Sequence, residues 1–285
     1  MSIIGNKTIQ RYFDVLVKDD ALSHAYLFLG PQGVGKKTFA LNLAKEVAGD
    51  QANNLDIRFI NKENSPSHSN MSGGGKQIYV SESRDLKSFL SLTPFGRYKV
   101  VVIDNAHHLN QEASNALLKF LEEPPGKSLI ILITHLPKIL LPTIISRCQL
   151  VRFKPLNKEE IADYLIEEKK INKKTAQAIA GLSKGSVGQA LKLADNFESF
   201  QKDIGLLAKL KKADLLARFD FVKRVSGDND KLDELIGNWI LYLGGGIKEN
   251  FEAVRELRGL LSLKWLVSHP HFNHRLALEN FLIYL

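Results

Sequence analysis

Seven residues, Gly30-Pro31-Gln32-Gly33-Val34-Gly35-Lys36, leave this chain few folds to choose from. They stand between the apolar run Ala25 to Leu29 and the segment Gly35 to Val47, which carries Phe39, Leu43 and Val47 at four-residue spacing. That order reads as strand, phosphate-binding turn and helix. A glycine-rich turn lets backbone N–H groups point at phosphate oxygens. The helix N-terminus adds partial positive charge, and Lys36 adds a full one. The turn belongs to an α/β fold, a parallel sheet with helices on both faces.

The rest of the first half keeps the alternation. Ile57 to Ile60 reads as a strand inside a polar stretch, Asp50 to Lys76, that otherwise reads as a mobile loop. Gln77 to Val80 is a short apolar segment, and Ser81 caps a helix carrying Leu86, Phe89, Leu90 and Leu92. Lys99 to Asp104 and Leu129 to Thr134 are continuous and β-branched, as buried parallel strands are. Asn110 caps a helix that runs to Glu123, where Pro124-Pro125 stops it. Pro142 to Arg147 reads as a short helix and Cys148 to Phe153 as the last strand. Beyond Pro155 only helices are expected: Lys158 to Lys170, with Asn157 and Glu160 as a capping pair, Lys173 to Ser183, Ser186 to Ala194, and four or five more from Phe197.

Composition narrows the class. Net charge is +8 and the pI about 9.3, which admits an acidic partner but equally suits a basic soluble protein. The basic clusters Lys169 to Lys174 and Lys209 to Lys212 read as solvated helix faces. Cys148 is the only cysteine, which excludes a disulfide framework and a four-cysteine zinc site and fits a reducing cytoplasm. Met1 to Tyr12 lacks a signal-peptide layout, and Leu129 to Ile145 is too interrupted to span a bilayer, so no membrane role is expected.

The loop's partners depart from a hydrolytic site. After the loop lysine a Ser or Thr ordinarily holds Mg²⁺, and here the residue is Lys37. Thr38 does not replace it, because one step along a helix turns a side chain by about 100°. Lys37 is either a second cation that neutralises phosphate without a metal or a solvated lysine. Asp104 either faces a metal or Lys36, or caps the following turn. Asn105 stands where a nucleotide-hydrolysing machine carries Glu, and an amide cannot take a proton from attacking water. Thr134 either touches a terminal phosphate or closes its strand. His107 and His108 are adjacent and diverge, so they read as turn residues and not as metal ligands. Gly30, Gly33, Gly35, Lys36, Lys37, Thr38, Asp104 and Thr134 thus outline a degenerate nucleotide site. It holds ATP or ADP, or keeps its shape and binds nothing. No cofactor is required and no metal is expected.

Four motifs stand in order: Gly30 to Lys36, Asp104 to His107, Glu122-Glu123-Pro124-Pro125 and Ser146-Arg147-Cys148. With His24 to Phe28, Asn115 to Pro125 and Asn273 to Asn280, they make the chain resemble the bacterial clamp-loader subunits of the AAA+ class, and within them the delta-prime family of DNA polymerase III. The resemblance implies a P-loop α/β domain over 1–155, a small helical lid over 156–202 and a helical collar over 203–285. It implies a ring with motor subunits of gamma or tau type and a delta subunit, which loads a sliding clamp onto primer–template DNA. In that ring this chain would be a non-hydrolysing stator, with Arg147 donated in trans to a neighbour's ATP; the other reading of Arg147 is a structural ion-pair residue. A donated arginine is worth about 10³ to 10⁵ in rate. Gly188 stands where active members carry a phosphate-sensing arginine, and 50–76 lacks the cysteines of the zinc module found in many members. Collar positions Leu260, Leu261, Leu263, Trp265 and Leu266 exceed one apolar stripe, as a core plus a subunit contact would need. The alternatives are an active gamma/tau-like motor that tolerates Lys37, and a DNA-binding module suggested by charge.

Overall fold

The computed structural model of the protein describes residues 4–49, 55–61, 78, 86, 88–245, 251–269 and 271–285. Five parallel strands, β1 (Ala25–Leu29), β2 (Ile57–Ile60), β3 (Lys99–Ile103), β4 (Ser128–Thr134) and β5 (Gln149–Arg152), form one sheet in the order β2-β3-β4-β1-β5. β1, β3 and β4 are buried at every position. Helices cover both faces, which is why the interiors of these strands are apolar instead of alternating, with the polar residues Lys99, Ser128 and Thr134 at strand ends.

The two-residue period of a strand still sorts the side chains. Tyr26 and Phe28 join Val100, Val102, Leu129 and Ile131 beneath helices α1 (Lys7–Lys18) and α2 (Lys36–Ala48), which contribute Phe13, Phe39, Leu43 and Val47. Ala25, Leu27 and Leu29 join Val101, Ile103, Ile130 and Leu132 on the opposite face. There α3 (Gln111–Glu122) supplies Leu117 and Leu121, and the one-turn α4 (Pro142–Ile145) supplies Ile144. The sequence reading placed no helix before β1, yet α1 buries Phe13 and Val17. The Phe13 ring meets those of Tyr26, Phe28 and Phe39 at 4.9, 5.8 and 5.4 Å.

The predicted caps form. Asn110 accepts from the Ala113 N–H at 2.8 Å, and the Asn157 N–H donates to Glu160 at 3.0 Å. Residues 88–91 are helical and Leu86 and Leu90 are buried, but Leu92 lies past the helix end and is exposed, so it does not belong to that helix's apolar face. Ser81 and, apart from 55–61, the loop expected over 50–76 lie outside the described residues. Of Gln77 to Val80, Ile78 is described and bridges in parallel to Leu109.

The chain forms two compact units, Met1–Ile161 with Gly185–Gly188, and Ala162–Lys184 with Gln189–Leu285. Helices α5 (Lys158–Lys169), α6 (Lys173–Leu182) and α7 (Val187–Asp195) are followed by α8 (Phe197–Lys212), α9 (Leu215–Val225), α10 (Asn229–Gly245), α11 (Phe251–Val267) and α12 (His274–Ile283). The second unit has no strand among its described residues. Its core surrounds Trp239, whose indole N–H donates to the Asp203 carbonyl at 2.8 Å. Leu260 and Leu263 enter that core, whereas Leu261 and Trp265 are exposed. Among the described residues, no helix is long and apolar enough to cross a membrane.

Candidate nucleotide site and presented arginine

The loop between β1 and α2 takes the shape its glycines permit. Gly30, Gly33 and Gly35 have φ of 145°, 74° and 92°, backbone that side-chain-bearing residues rarely adopt. Space adds a second demand at two of them. A Cβ on Gly30 would collide with the Phe153 carbonyl, and one on Gly33 with the Ser186 hydroxyl, while Gly35 has open space. Ser186 belongs to the segment 185–188, which lies against the loop: the Gly188 N–H donates to the Gly33 carbonyl at 2.9 Å. A Cβ at position 188 would stand 3.2 Å from the Gly33 Cα, so glycine here lets the two backbones touch. From sequence, Gly188 reads as a missing arginine and Ser186 as a helix start; their packing on the loop is a finding of the structure.

Lys36 opens α2 and is 7% exposed. Its ammonium donates to the carbonyls of Gly30 at 2.7 Å and Pro31 at 2.5 Å, so it braces its own loop. Burial pushes its pKa down to about 8, with the Asp104 carboxylate pulling the other way. Lys37 turns to β2, where its ammonium sits 4.6 Å from the centre of the Phe59 ring, a cation–π contact. Thr38 is the next residue round the helix and is exposed.

Asp104 follows β3. Its carboxylate accepts from the Asn105 N–H at 2.9 Å while its charge acts on Lys36, so both sequence readings of this acid have a counterpart apart from a metal. Asn105 has φ 54°, a left-handed conformation in which Asn is several-fold enriched. Thr134 is buried; its hydroxyl accepts from the Leu136 N–H and meets His107 Nδ1, both at 3.0 Å, so it closes the end of β4. His107 also packs edge-on against His135, 4.6 Å between centroids, and His135 meets Gln32 of the phosphate loop at 3.0 Å. Burial, with help from Lys36, lowers the pKa of His135. This Gln32–His135–His107–Thr134 chain was not found from sequence. Among the described residues, no three His, Cys, Asp or Glu side chains gather as a metal-binding group. Lys36 is engaged by its own loop, and position 37 has no hydroxyl for Mg²⁺.

Arg147 lies in the same unit, just after α4. Pro142 starts this single turn, with its φ already suited to a helix. Ile144 and Cys148 are buried on either side of Arg147 and hold its backbone. Burial pushes the Cys148 thiol up to about 12, so it acts as packing and not as a nucleophile. The guanidinium meets Glu122 Oε1 at 2.8 Å and donates to the Thr143 carbonyl at 3.1 Å, leaving the side chain 35% exposed.

A parallel sheet with β1 between β4 and β5, a glycine loop feeding α2, and a helical second unit define the AAA+ class. A family model described as "DNA polymerase III, delta subunit" matches residues 5–157, and the chain belongs to this family of clamp-loader subunits. It is 35% identical over 189 residues to DNA polymerase III subunit delta' of Bacillus subtilis, covering 64% of this chain and 57% of the relative. It is 31% identical over 223 residues to the tau subunit of the same organism, covering 71% of this chain and 38% of that one. The chain thus matches less than two thirds of the length of these relatives. A solved gamma subunit-related protein of Thermotoga maritima shares the fold, with a TM-score of 0.59, 22% identity, and coverage of 95% of this chain and 98% of that one.

Proposed function

We propose that this chain is the delta-prime-type stator of a clamp-loader ring. It does not hydrolyse ATP, and it presents Arg147 to the ATP of a neighbouring motor subunit of gamma or tau type. Together with a delta subunit, that ring loads a sliding clamp onto primed DNA. Residues 156–202 act as the lid and 203–285 as the collar that joins the subunits. The observation that carries the reading is Lys37: the Mg²⁺-binding position holds an ammonium, and that ammonium lies over Phe59. Asn105 removes the base as well. The phosphate loop keeps its shape through its own contacts and those of 185–188, so the chain requires no cofactor; ATP or ADP phosphates are the ligands it would accept.

Arg147 supplies what a motor lacks at its own site. As water attacks the neighbour's γ-phosphorus and the bond to ADP breaks, charge builds on the transferring group, and a guanidinium placed there stabilises it. A second reading, an active motor, is favoured by the complete glycine–lysine loop and the tau relationship. ATP turnover decides between them. With motor subunits, delta, clamp and primed DNA present, Arg147→Ala should lower turnover by about 10³-fold while the ring still assembles. Turnover by this chain alone would establish the motor reading instead.

A further inference from the structure

We infer that Glu122 is the positioning residue for Arg147, fixing where the guanidinium stands when it meets a neighbour's ATP; this rests on the donated-arginine reading. Glu122 is the last residue of α3. A carboxylate at a helix C-terminus faces the negative end of the helix dipole, a place where a cation is favoured. Its charge is answered by Arg147 at 2.8 Å, from an element 25 positions further along the chain. The Thr143 carbonyl takes a second N–H from Nη1 at 3.1 Å. A guanidinium has five N–H groups, and these contacts use one on each terminal nitrogen. Three remain for phosphate oxygens, so the pair with Glu122 can persist during catalysis.

The pair is half-exposed, with side chains 35% and 50% accessible. Ion pairs so exposed add little to stability. What they do supply is direction: a free arginine samples many rotamers, and one held from two sides does not. Reaction rate is sensitive to such placement, since about 1 Å of misplacement costs about 10²-fold.

The test is steady-state ATP turnover by the reconstituted ring with clamp and primed DNA. It compares wild type, Glu122→Ala, Glu122→Gln, Arg147→Ala and the double alanine variant, with assembly followed by gel filtration. Glu122→Ala should lower kcat by about 10- to 100-fold and leave KM for ATP and assembly unchanged. Glu122→Gln keeps an acceptor oxygen and should recover part of the rate. The double variant should match Arg147→Ala, because Glu122 acts only through that arginine. A large loss in Arg147→Ala with wild-type turnover in Glu122→Ala overturns this inference alone, as does a double variant in which the two losses add. Wild-type turnover in Arg147→Ala overturns the donated arginine and this inference with it.

Discussion

Replacing Asp56 with Ala should destabilise the first unit by about 3 kcal/mol. Asp56 immediately precedes β2 and Lys99 opens β3; their side chains meet at 2.6 Å and are 0% and 3% exposed. The carboxylate also accepts from the Gly96 N–H at 2.7 Å. Removing it leaves a buried ammonium without a counter-charge, about 3–5 kcal/mol, and an unanswered N–H, about 1 kcal/mol more. The rings of Phe89 and Phe95, 5.0 and 5.4 Å from Lys99 Nζ, stay beside the ammonium and keep the loss near the lower end of that range. Both tryptophans, Trp239 and Trp265, lie in the second unit, so indole fluorescence is the wrong probe. Urea and thermal unfolding followed by far-ultraviolet circular dichroism are the assays; the first transition gives the free-energy loss, and its thermal midpoint should fall by about 6–12 °C. Adding Lys99→Met removes the orphaned charge and should restore at least half of the loss.

The pair also predicts a pH dependence. Burial raises the Asp56 pKa, but the bonds from Lys99 and the Gly96 and Phe95 N–H groups outweigh it, and the net shift is below 3.8. A depressed carboxylate stabilises fully above its unfolded pKa and loses that contribution as pH falls through the folded value. The gap between wild type and Asp56→Ala should therefore narrow below about pH 4. A loss under about 1 kcal/mol at neutral pH, or a double variant weaker than the single, would refute the argument.

Two further outcomes probe the phosphate loop. Gly33→Ala should cost about 2–3 kcal/mol, from left-handed backbone plus the overlap with Ser186, and Gly35→Ala only the backbone part, about 1–2 kcal/mol. Urea unfolding should show Ser186→Ala relieving the first and not the second; equal losses at the two glycines would contradict the packing of 185–188 on the loop. The Lys36 pKa of about 8 lies below its unfolded value of 10.5, so the unfolded chain binds more protons between the two. Wild type should gain on Lys36→Met by up to about 3 kcal/mol as pH rises through that window, and a constant difference would show that Lys36 is not desolvated.

Much of the frame was readable in advance because it is written in local patterns. Glycines next to a lysine, β-branched runs and proline stops act on their own backbone and immediate neighbours. They anticipated all five strands, the α2 turn and the caps at Asn110 and Asn157. α1 carries no local start signal, since Asn6 makes no side-chain cap, and Leu92 looks like the next member of a helix face although it lies just past the helix end.

The chemistry of the site needed distance. The choice for Lys37 needed the fold: its side chain is exposed, as a solvated lysine is, and it also lies over Phe59, which approaches only once β2 lies beside β3. Ser186 reaches Gly33 from 153 positions away, and His135 reaches Gln32 from 103. Glu122 and Arg147 both stand in motifs, yet nothing in their spacing pairs them. Local sequence sets which backbone shapes are cheap, and so determined the fold class, the loop and the missing hydroxyl and carboxylate. Which side chains meet depends on strand order and on how helices pack across it, so only the tertiary structure decided that Lys37 serves Phe59, that 185–188 braces the phosphate loop, and that Glu122 holds Arg147.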